Sequence, residues 1–187
     1  ACLVSGGDGR TLALGARDGR VAILDAETGQ KRSVFLPPSA KTGSVQALRP
    51  VSGGSLAAAY SVGPVRMLPG SATTFDVLAD HDSYVYSVAF AHGGHWLVSG
   101  SWDRTVRVRD TESLTSLAVV PMSDRVLVLQ PLAPDGHVLV ALMNGEALAI
   151  DLPEGRTVWR SSGHSWDWSG AAIAASSDGA LAFLADP

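Results

Sequence analysis

Short apolar runs alternate with polar, glycine-bearing turns along the whole chain. Five of these turns each precede an Ala-, Val- and Leu-rich segment, and their glycines are Gly9, Gly54, Gly94, Gly136 and Gly179. The steps between successive glycines are 45, 40, 42 and 43 residues. Self-similarity at a fixed period of about 40–45 residues is typical of a repeat architecture with several short strands in each unit.

The same order of pieces recurs within each period. A first strand such as "YVYSVAF" (84–90) is followed by the glycine turn, a second strand such as "WLVSGS", a hairpin, a third strand, a polar turn and a fourth strand. Asp18-Gly19 and Asn144-Gly145 are strong hairpin signals because both central residues accept a positive φ. No stretch favours a long amphipathic helix. The pattern therefore predicts a succession of antiparallel meanders, as in the four-stranded blades of a β-propeller.

The period divides the chain into repeat units. We assign three complete blades, at 41–79, 81–120 and 122–160, between partial blades at 1–40 and 163–187. The first unit lacks most of its opening strand, and the last stops after its second. We therefore predict an all-β propeller segment with about four blades' worth of sequence. Its remaining blades are expected to come from the same parent chain or from another chain.

Composition narrows the class of protein. The chain of 187 residues is 46% hydrophobic and 17% charged, which indicates a globular domain. Its net charge is -4 and it has no run of Lys or Arg, so we expect no nucleic-acid partner. No apolar run approaches the roughly 18 residues of a membrane helix, so no membrane partner is expected. The single cysteine, Cys2, excludes an internal disulfide, and we expect a reducing, cytoplasmic location.

One unit carries a specific resemblance. Residues 81–110 contain His81, the strand "VYSVAF", Gly93-Gly94 and "LVSGSWDRTVRVRD". This stretch resembles the WD-repeat family, although Arg109 stands where the family has its signature Trp. The other units resemble the family loosely. The resemblance implies a non-catalytic propeller that acts as a protein–protein interaction scaffold and needs no cofactor.

His81, Ser99 and Asp103 raise the question of catalysis. The resemblance implies that these three side chains form a hydrogen-bonded network inside one blade. A Ser-His-Asp triad would also need an exposed nucleophile and an oxyanion hole at a pocket. Ser99 lies in the middle of a strand that blade stacking is expected to bury, so we predict a structural network and no enzyme activity. His92 and His95 lie in a flexible turn without a third ligand nearby, and we predict no metal site there.

Aromatic residues near strand ends are candidates for a partner-binding surface, because Trp and Tyr are over-represented as anchors at protein interfaces. The candidates on the loop face are Trp102, Tyr84, Tyr86, Trp166 and Trp168. Two alternatives stay open: the two tyrosines could pack between blades, and Trp166 and Trp168 could cap the hydrophobic seam at a blade boundary. Arg17, Gln46 and Met143 occupy comparable slots in other blades.

A second resemblance leads to an alternative function. Residues 22–35 and 149–159 are similar to the docking motif of quinoprotein-like propellers, with Phe35 and Trp159 as the packing aromatics. That resemblance implies either an assembly scaffold or an oxidoreductase with a central cofactor. A third hypothesis is a regulatory sensor domain fused to an effector elsewhere in the parent polypeptide.

Overall fold

A computed structural model describes residues 2–5, 9–37, 43–50, 56–61, 64–68, 76–132, 136–163, 172–175 and 182–185. These residues form four four-stranded sheets and one two-stranded sheet. Helical structure in these ranges is limited to the 3-10 turn His92–Gly94. The prediction of an all-β chain built from four-stranded antiparallel sheets is confirmed.

Neighbours in each four-stranded sheet follow chain order, so each sheet is a meander. The first sheet contains β1 (Cys2–Ser5), β2 (Thr11–Gly15), β3 (Val21–Asp25) and β4 (Lys31–Phe35). The second contains β5 (Val45–Pro50), β6 (Leu56–Tyr60), β7 (Pro64–Leu68) and β8 (Asp76–Asp80). The third contains β9 (Val85–Ala91), β10 (Trp96–Ser101), β11 (Thr105–Asp110) and β12 (Ser116–Pro121). The fourth contains β13 (Val126–Leu132), β14 (His137–Leu142), β15 (Ala147–Asp151) and β16 (Arg156–Ser161), and the last pair is β17 (Ala172–Ala175) and β18 (Ala182–Ala185). The blade limits assigned from the sequence stay a prediction.

The chain divides into two compact units, Ala1–Val88 and Ala89–Pro187, and the boundary falls within β9. In the first unit, one face of the first sheet packs on the second sheet. Ala13 and Val21 join a core with Val45, Leu48, Leu56, Ala58, Tyr60 and Leu68. Burial of apolar side chains on both sheets stabilises this stacking.

In the second unit, the third sheet packs on the fourth. Its core includes Val98, Val106 and Val108 together with Val126, Leu129, Val138, Val140, Leu148 and Ile150. Gly100 lies at the closest approach, because an added Cβ would overlap Val126 and lie 3.2 Å from Leu129 Cδ1. A side chain at this position would therefore push the two sheets apart.

The fourth strand of each four-stranded sheet has an irregular register. The ladders between third and fourth strands shift between Ile23 and Leu24, Val65 and Arg66, Val108 and Arg109, and Ala149 and Ile150. An extra residue in one strand of a pair increases the local twist and bends that strand. The outer strands β4, β12 and β16 are also the most exposed, with Val119 and Val158 more than half exposed.

Candidate interaction site

Three hairpins between second and third strands share one local design. Asp18 Oδ1 accepts a hydrogen bond from the backbone N–H of Arg20 at 3.1 Å. Asp103 and Asn144 accept equivalent bonds from the N–H of Thr105 at 2.9 Å and of Glu146 at 3.1 Å. Asp and Asn favour such turns because their short side chains bond to the backbone two residues further on. In each of these hairpins, the Asp or Asn side chain thus stabilises the turn in which it lies.

The residues predicted to form a network are all buried or partly buried. His81 is 5% exposed and lies in the first unit, just before β9, while Ser99 is 1% exposed within β10 of the second unit. Asp103 also accepts a hydrogen bond from Thr105 Oγ1 at 2.7 Å and lies 3.8 Å from Arg107 Nη2. Asp103 therefore ties the hairpin to β11. The predicted meeting of all three side chains stays a prediction.

Two half-buried arginines, Arg107 and Arg109, lie on the face of β11 opposite the core residues Val106 and Val108. Arg109, which stands at the family's Trp position, donates from Nη1 to the carbonyl oxygen of Leu114 at 2.7 Å. Arg107 is paired with Asp103, yet its Nε is buried and has no acceptor among the residues that the structure describes. A buried donor without an acceptor costs free energy, so Arg107 depends on Asp103 for its remaining compensation.

Trp102 is half-buried in the hairpin of the third sheet. The guanidinium of Arg125 lies over its ring, 5.0 Å from the centroid. Arg125 Nη1 also donates to Met143 Sδ at 3.6 Å, and its carbonyl oxygen accepts from the N–H of Met143 at 2.9 Å. Trp102, Arg125 and Met143 form what we call the Trp102 cluster. Arg125 was not identified as a contact residue from the sequence, because it lies 23 residues from Trp102 along the chain. The sequence feature that could have indicated it is its position just before the opening strand of the next sheet.

Polar contacts brace the chain around the Trp102 cluster. Met122 N–H donates to the carbonyl oxygen of Arg104 at 2.8 Å. Ser123 Oγ and Asn144 Nδ2 both donate to Glu146, and these two bonds lower the pKa of its carboxyl, with a smaller contribution from Arg160. Glu146 therefore remains a carboxylate that links the β14–β15 hairpin to the segment before β13.

The other predicted anchors divide into two groups. Tyr84 is 44% exposed directly before β9, and Tyr86 is half-buried within that strand, so both lie on one side of it in the first unit. Trp166 and Trp168 lie outside the described residues. Of the docking aromatics in the quinoprotein-like resemblance, Phe35 packs against the core of the first unit, and Trp159 is 37% exposed.

The histidine turn before β10 is exposed. His92 stacks on Trp96 with 4.5 Å between ring centroids, and the ring of His95 lies 6.1 Å from that of His92. In the described ranges, no three His, Cys, Asp or Glu side chains gather as a metal site. Nor does any helix there have the length and apolar content to cross a bilayer.

A polar cavity of about 480 Å³ lies in the first unit. It is lined by Arg17 from the β2–β3 hairpin and by Ser44, Val45 and Gln46 at the start of β5. Arg17 and Gln46 were two of the secondary sequence candidates, and the structure brings them to one cavity. Arg17 corresponds to Trp102 in hairpin position, so hairpins of both units carry a candidate contact residue.

Comparisons with known proteins agree with this architecture. Residues 72–110 match the family model described as "WD domain, G-beta repeat". The chain is 37% identical over 83 residues to "Periodic tryptophan protein 2 homolog" of Schizosaccharomyces pombe. The matched segment covers 43% of this chain and 10% of that protein. The resemblance to the WD-repeat family that the sequence predicted is thereby confirmed.

Two solved structures show the same fold. A chain of the "Crystal Structure of Mitotic Checkpoint Complex" superimposes with a TM-score of 0.76 at 18% identity, over 91% of this chain and 51% of that one. The "Neurospora crassa Pan2 WD40 domain" gives 0.75 at 14% identity, over 87% and 49%. The four-stranded sheets therefore have the fold of propeller blades, and the chain spans about half the length of these two structures.

Proposed function

We propose that this chain is a non-catalytic interaction module that holds a protein partner on its hairpin side within a larger protein or complex. The Trp102 cluster is the observation that carries this proposal. Trp, Arg and Met are all enriched at protein interfaces, and Trp and Arg dominate the residues whose removal weakens binding most. The proposal places the module in the cytoplasm, in keeping with its single cysteine.

The side chains of the Trp102 cluster are already positioned by one another, which supports a binding role. Arg125 is held by the Trp102 ring and by Met143 before any partner arrives. Side chains that are already positioned lose less conformational freedom on association, so more of the contact energy appears as affinity. The burial of Ser99 argues against turnover, because a nucleophile must reach its substrate.

The experiment compares the proteins that co-purify with the wild-type chain and with Trp102→Ala, quantified by mass spectrometry. Leu117→Ala is the matched control, because Leu117 is a 41% exposed apolar residue on an outer strand. We expect Trp102→Ala to lose a discrete set of partners that Leu117→Ala retains, while its thermal midpoint falls by no more than a few degrees. Equal retention by both variants, or loss of partners only together with unfolding, contradicts the proposal.

We also propose that a further four-stranded blade covers the open face of the first sheet. Leu3, Leu14, Ala22 and Val34 form one cross-strand row on this face. Leu3 is 62% exposed and Val34 is 44% exposed. A continuous apolar row of this kind marks an interaction surface.

The fourth sheet shows what such a face does when it is covered. Hairpin registers pair Leu14 with Ala22 in the first sheet and Val140 with Leu148 at the corresponding place in the fourth. Val140 and Leu148 are buried in the core that includes the third sheet, whereas Leu14 is 37% exposed. The first sheet therefore presents the same kind of apolar face without a neighbour on it among the described residues.

Labelling of an introduced cysteine tests this second proposal. In a Cys2→Ser background, Leu14→Cys should react readily with a maleimide in the isolated chain and slowly in the complete parent protein. Leu117→Cys, on an outer strand, should react at similar rates in both. Equal reactivity of Leu14→Cys in the two contexts contradicts coverage of this face.

A further inference from the structure

The cavity of the first unit is built from two segments that meet at the ends of two sheets. Arg17 belongs to the hairpin between β2 and β3, and Ser44 and Gln46 belong to the segment that opens β5. Its volume of about 480 Å³ is within the range of ligand-binding clefts. The cavity exceeds the size of a single carboxylate and has room for the residues that flank one in a peptide.

Backbone contacts fix the walls. The N–H of Val45 donates to the carbonyl oxygen of Ala16 at 3.0 Å, and Ser44 N–H donates to Ser61 Oγ, also at 3.0 Å. Gly19 lies so close that an added Cβ would be 2.6 Å from the carbonyl oxygen of Gly43. The hairpin and the start of β5 are therefore held together without a ligand, which lowers the cost of binding one.

The lining offers donors. Among the residues that the structure describes, no acceptor lies within hydrogen-bonding distance of the Arg17 guanidinium. Gln46 Nε2 donates to Ser44 Oγ at 2.9 Å. Within the described part of the chain, the hydroxyl proton of Ser44 and the second amide proton of Gln46 therefore remain to be donated. A guanidinium beside two neutral donors is a good match for the two oxygens of a carboxylate.

Charge selects a monoanion. The nearest acid along the hairpin, Asp18, is paired with Arg20 at 3.2 Å and does not neutralise Arg17. Counted over the described residues, the site therefore presents one net positive charge with a balanced ion pair beside it. A carboxylate compensates one charge, whereas a phosphate dianion would add an unpaired negative charge near Asp18.

We infer that this cavity binds an aspartate or glutamate side chain of an extended segment in the partner protein. This inference deepens the proposed interaction function and rests on it. Arg17 forms the ion pair with the carboxylate, and Ser44 and Gln46 donate the further hydrogen bonds. The Trp102 cluster, in the second unit, provides a separate contact.

Binding is measured with two blocked peptides, acetyl-Gly-Ser-Glu-Ser-Gly-amide and its Gln counterpart, titrated into the full chain by NMR. We expect the Glu peptide to bind about threefold to tenfold more tightly, because an exposed ion pair with good geometry contributes modestly. Arg17→Gln should abolish this preference, and Arg17→Lys should keep part of it. Arg20→Gln is the matched control, since it removes a neighbouring arginine that is already paired, and it should retain the preference.

Equal affinities of the Glu and Gln peptides for the wild-type chain overturn the inference. It is also overturned if Arg20→Gln loses the preference for the Glu peptide as fully as Arg17→Gln does. Tighter competition by inorganic phosphate than by acetate also overturns it, in favour of a phosphate site. Trp102→Ala should bind the Glu peptide as the wild type does. If Trp102→Ala binds the Glu peptide normally and also keeps its partners, the proposed function fails while the cavity assignment stands. If Trp102→Ala loses its partners but Arg17→Gln keeps the preference for the Glu peptide, the cavity assignment fails while the proposed function stands.

Discussion

Arg125 stacks on Trp102, with its guanidinium carbon 5.0 Å from the ring centroid, and joins the hairpin of one sheet to the entry of the next. Trp102 lies in the hairpin of the third sheet and Arg125 directly before the fourth, so their contact links neighbouring sheets of the second unit. A guanidinium over an indole is attracted by the ring's electron density while its edges remain able to donate. This one contact contributes to cohesion between the two sheets, and under the proposed function it also orders a surface for a partner.

A double-mutant cycle measures this stacking. Trp102→Ala, Arg125→Ala and the double variant are compared by chemical denaturation. We expect a coupling free energy of about 0.5–1 kcal/mol, the range for an exposed cation–π pair. Trp102→Phe should keep part of it, because a ring remains. Additive effects of the two alanine substitutions would contradict the pairing.

Gly100→Ala tests the close approach of the third and fourth sheets. Its Cβ would overlap Val126, which has little freedom to move within a buried core. We expect a loss of about 1–3 kcal/mol in the free energy of unfolding. Ser116→Ala, on an exposed outer strand, should change stability little. Adding Val126→Ala to Gly100→Ala should cost less than the two single substitutions together, since each relieves the other.

Asp103 should matter far more than its counterpart Asp18. Its side chain is 8% exposed and holds both donors of Thr105 and the guanidinium of Arg107, whereas the Asp18 side chain is 56% exposed. Asp103→Ala should cost about 1–3 kcal/mol because it leaves buried donors without acceptors. Asp18→Ala should cost less than about 1 kcal/mol. Equal losses, measured by urea denaturation, would contradict the role of Asp103.

Asp110 gives a pH-dependent prediction. The backbone N–H of Ser113, its hydroxyl and the N–H of Glu112 donate to Oδ1 and lower the pKa of this carboxyl below its ordinary value of 3.8. A lowered pKa in the folded state adds stability above the ordinary value, and this stability is lost as the pH falls through the folded-state pKa.

The variant that isolates this effect is Asp110→Asn, which keeps an acceptor oxygen and does not titrate. The difference in stability between the wild type and Asp110→Asn, in favour of the wild type, should be largest at neutral pH. The difference should shrink as the pH falls below 3.8. Thermal midpoints of both proteins between pH 7 and pH 2.5 provide the measurement, and a constant difference would contradict the assignment.

Local signals carried most of the fold. The Asp-Gly and Asn-Gly hairpins appear where the sequence placed them, and Gly19 and Gly145 adopt φ of 80° and 81°. These turns depend on residues that are adjacent in the sequence, and for that reason they could be predicted. The same holds for Trp102, whose place in a hairpin follows from the strands on either side.

Contacts between sheets could not be predicted. Arg125 reaches Trp102 only because the fourth sheet stacks on the third, and no local pattern encodes that distance. The sequence around Gly100 does not indicate that glycine is required there, because the requirement arises from Val126 on the neighbouring sheet. The cavity at Arg17 likewise depends on where the start of β5 lies against a hairpin. These features depend on packing between segments that are distant in the sequence, and strand period and turn chemistry carry no information about such packing.

The irregular fourth strands have a consequence for assembly. A regular outermost strand would present a flat ladder of unsatisfied N–H and C=O groups, on which other molecules could add strands and grow sideways into fibrils. The shifts opposite Ile23, Val65, Val108 and Ala149 lie in the ladder to the third strand, and each bends and twists the outermost strand so that its free edge is not flat. Exposed residues such as Val119 and Val158 can therefore remain at the periphery without making it a template for polymerisation.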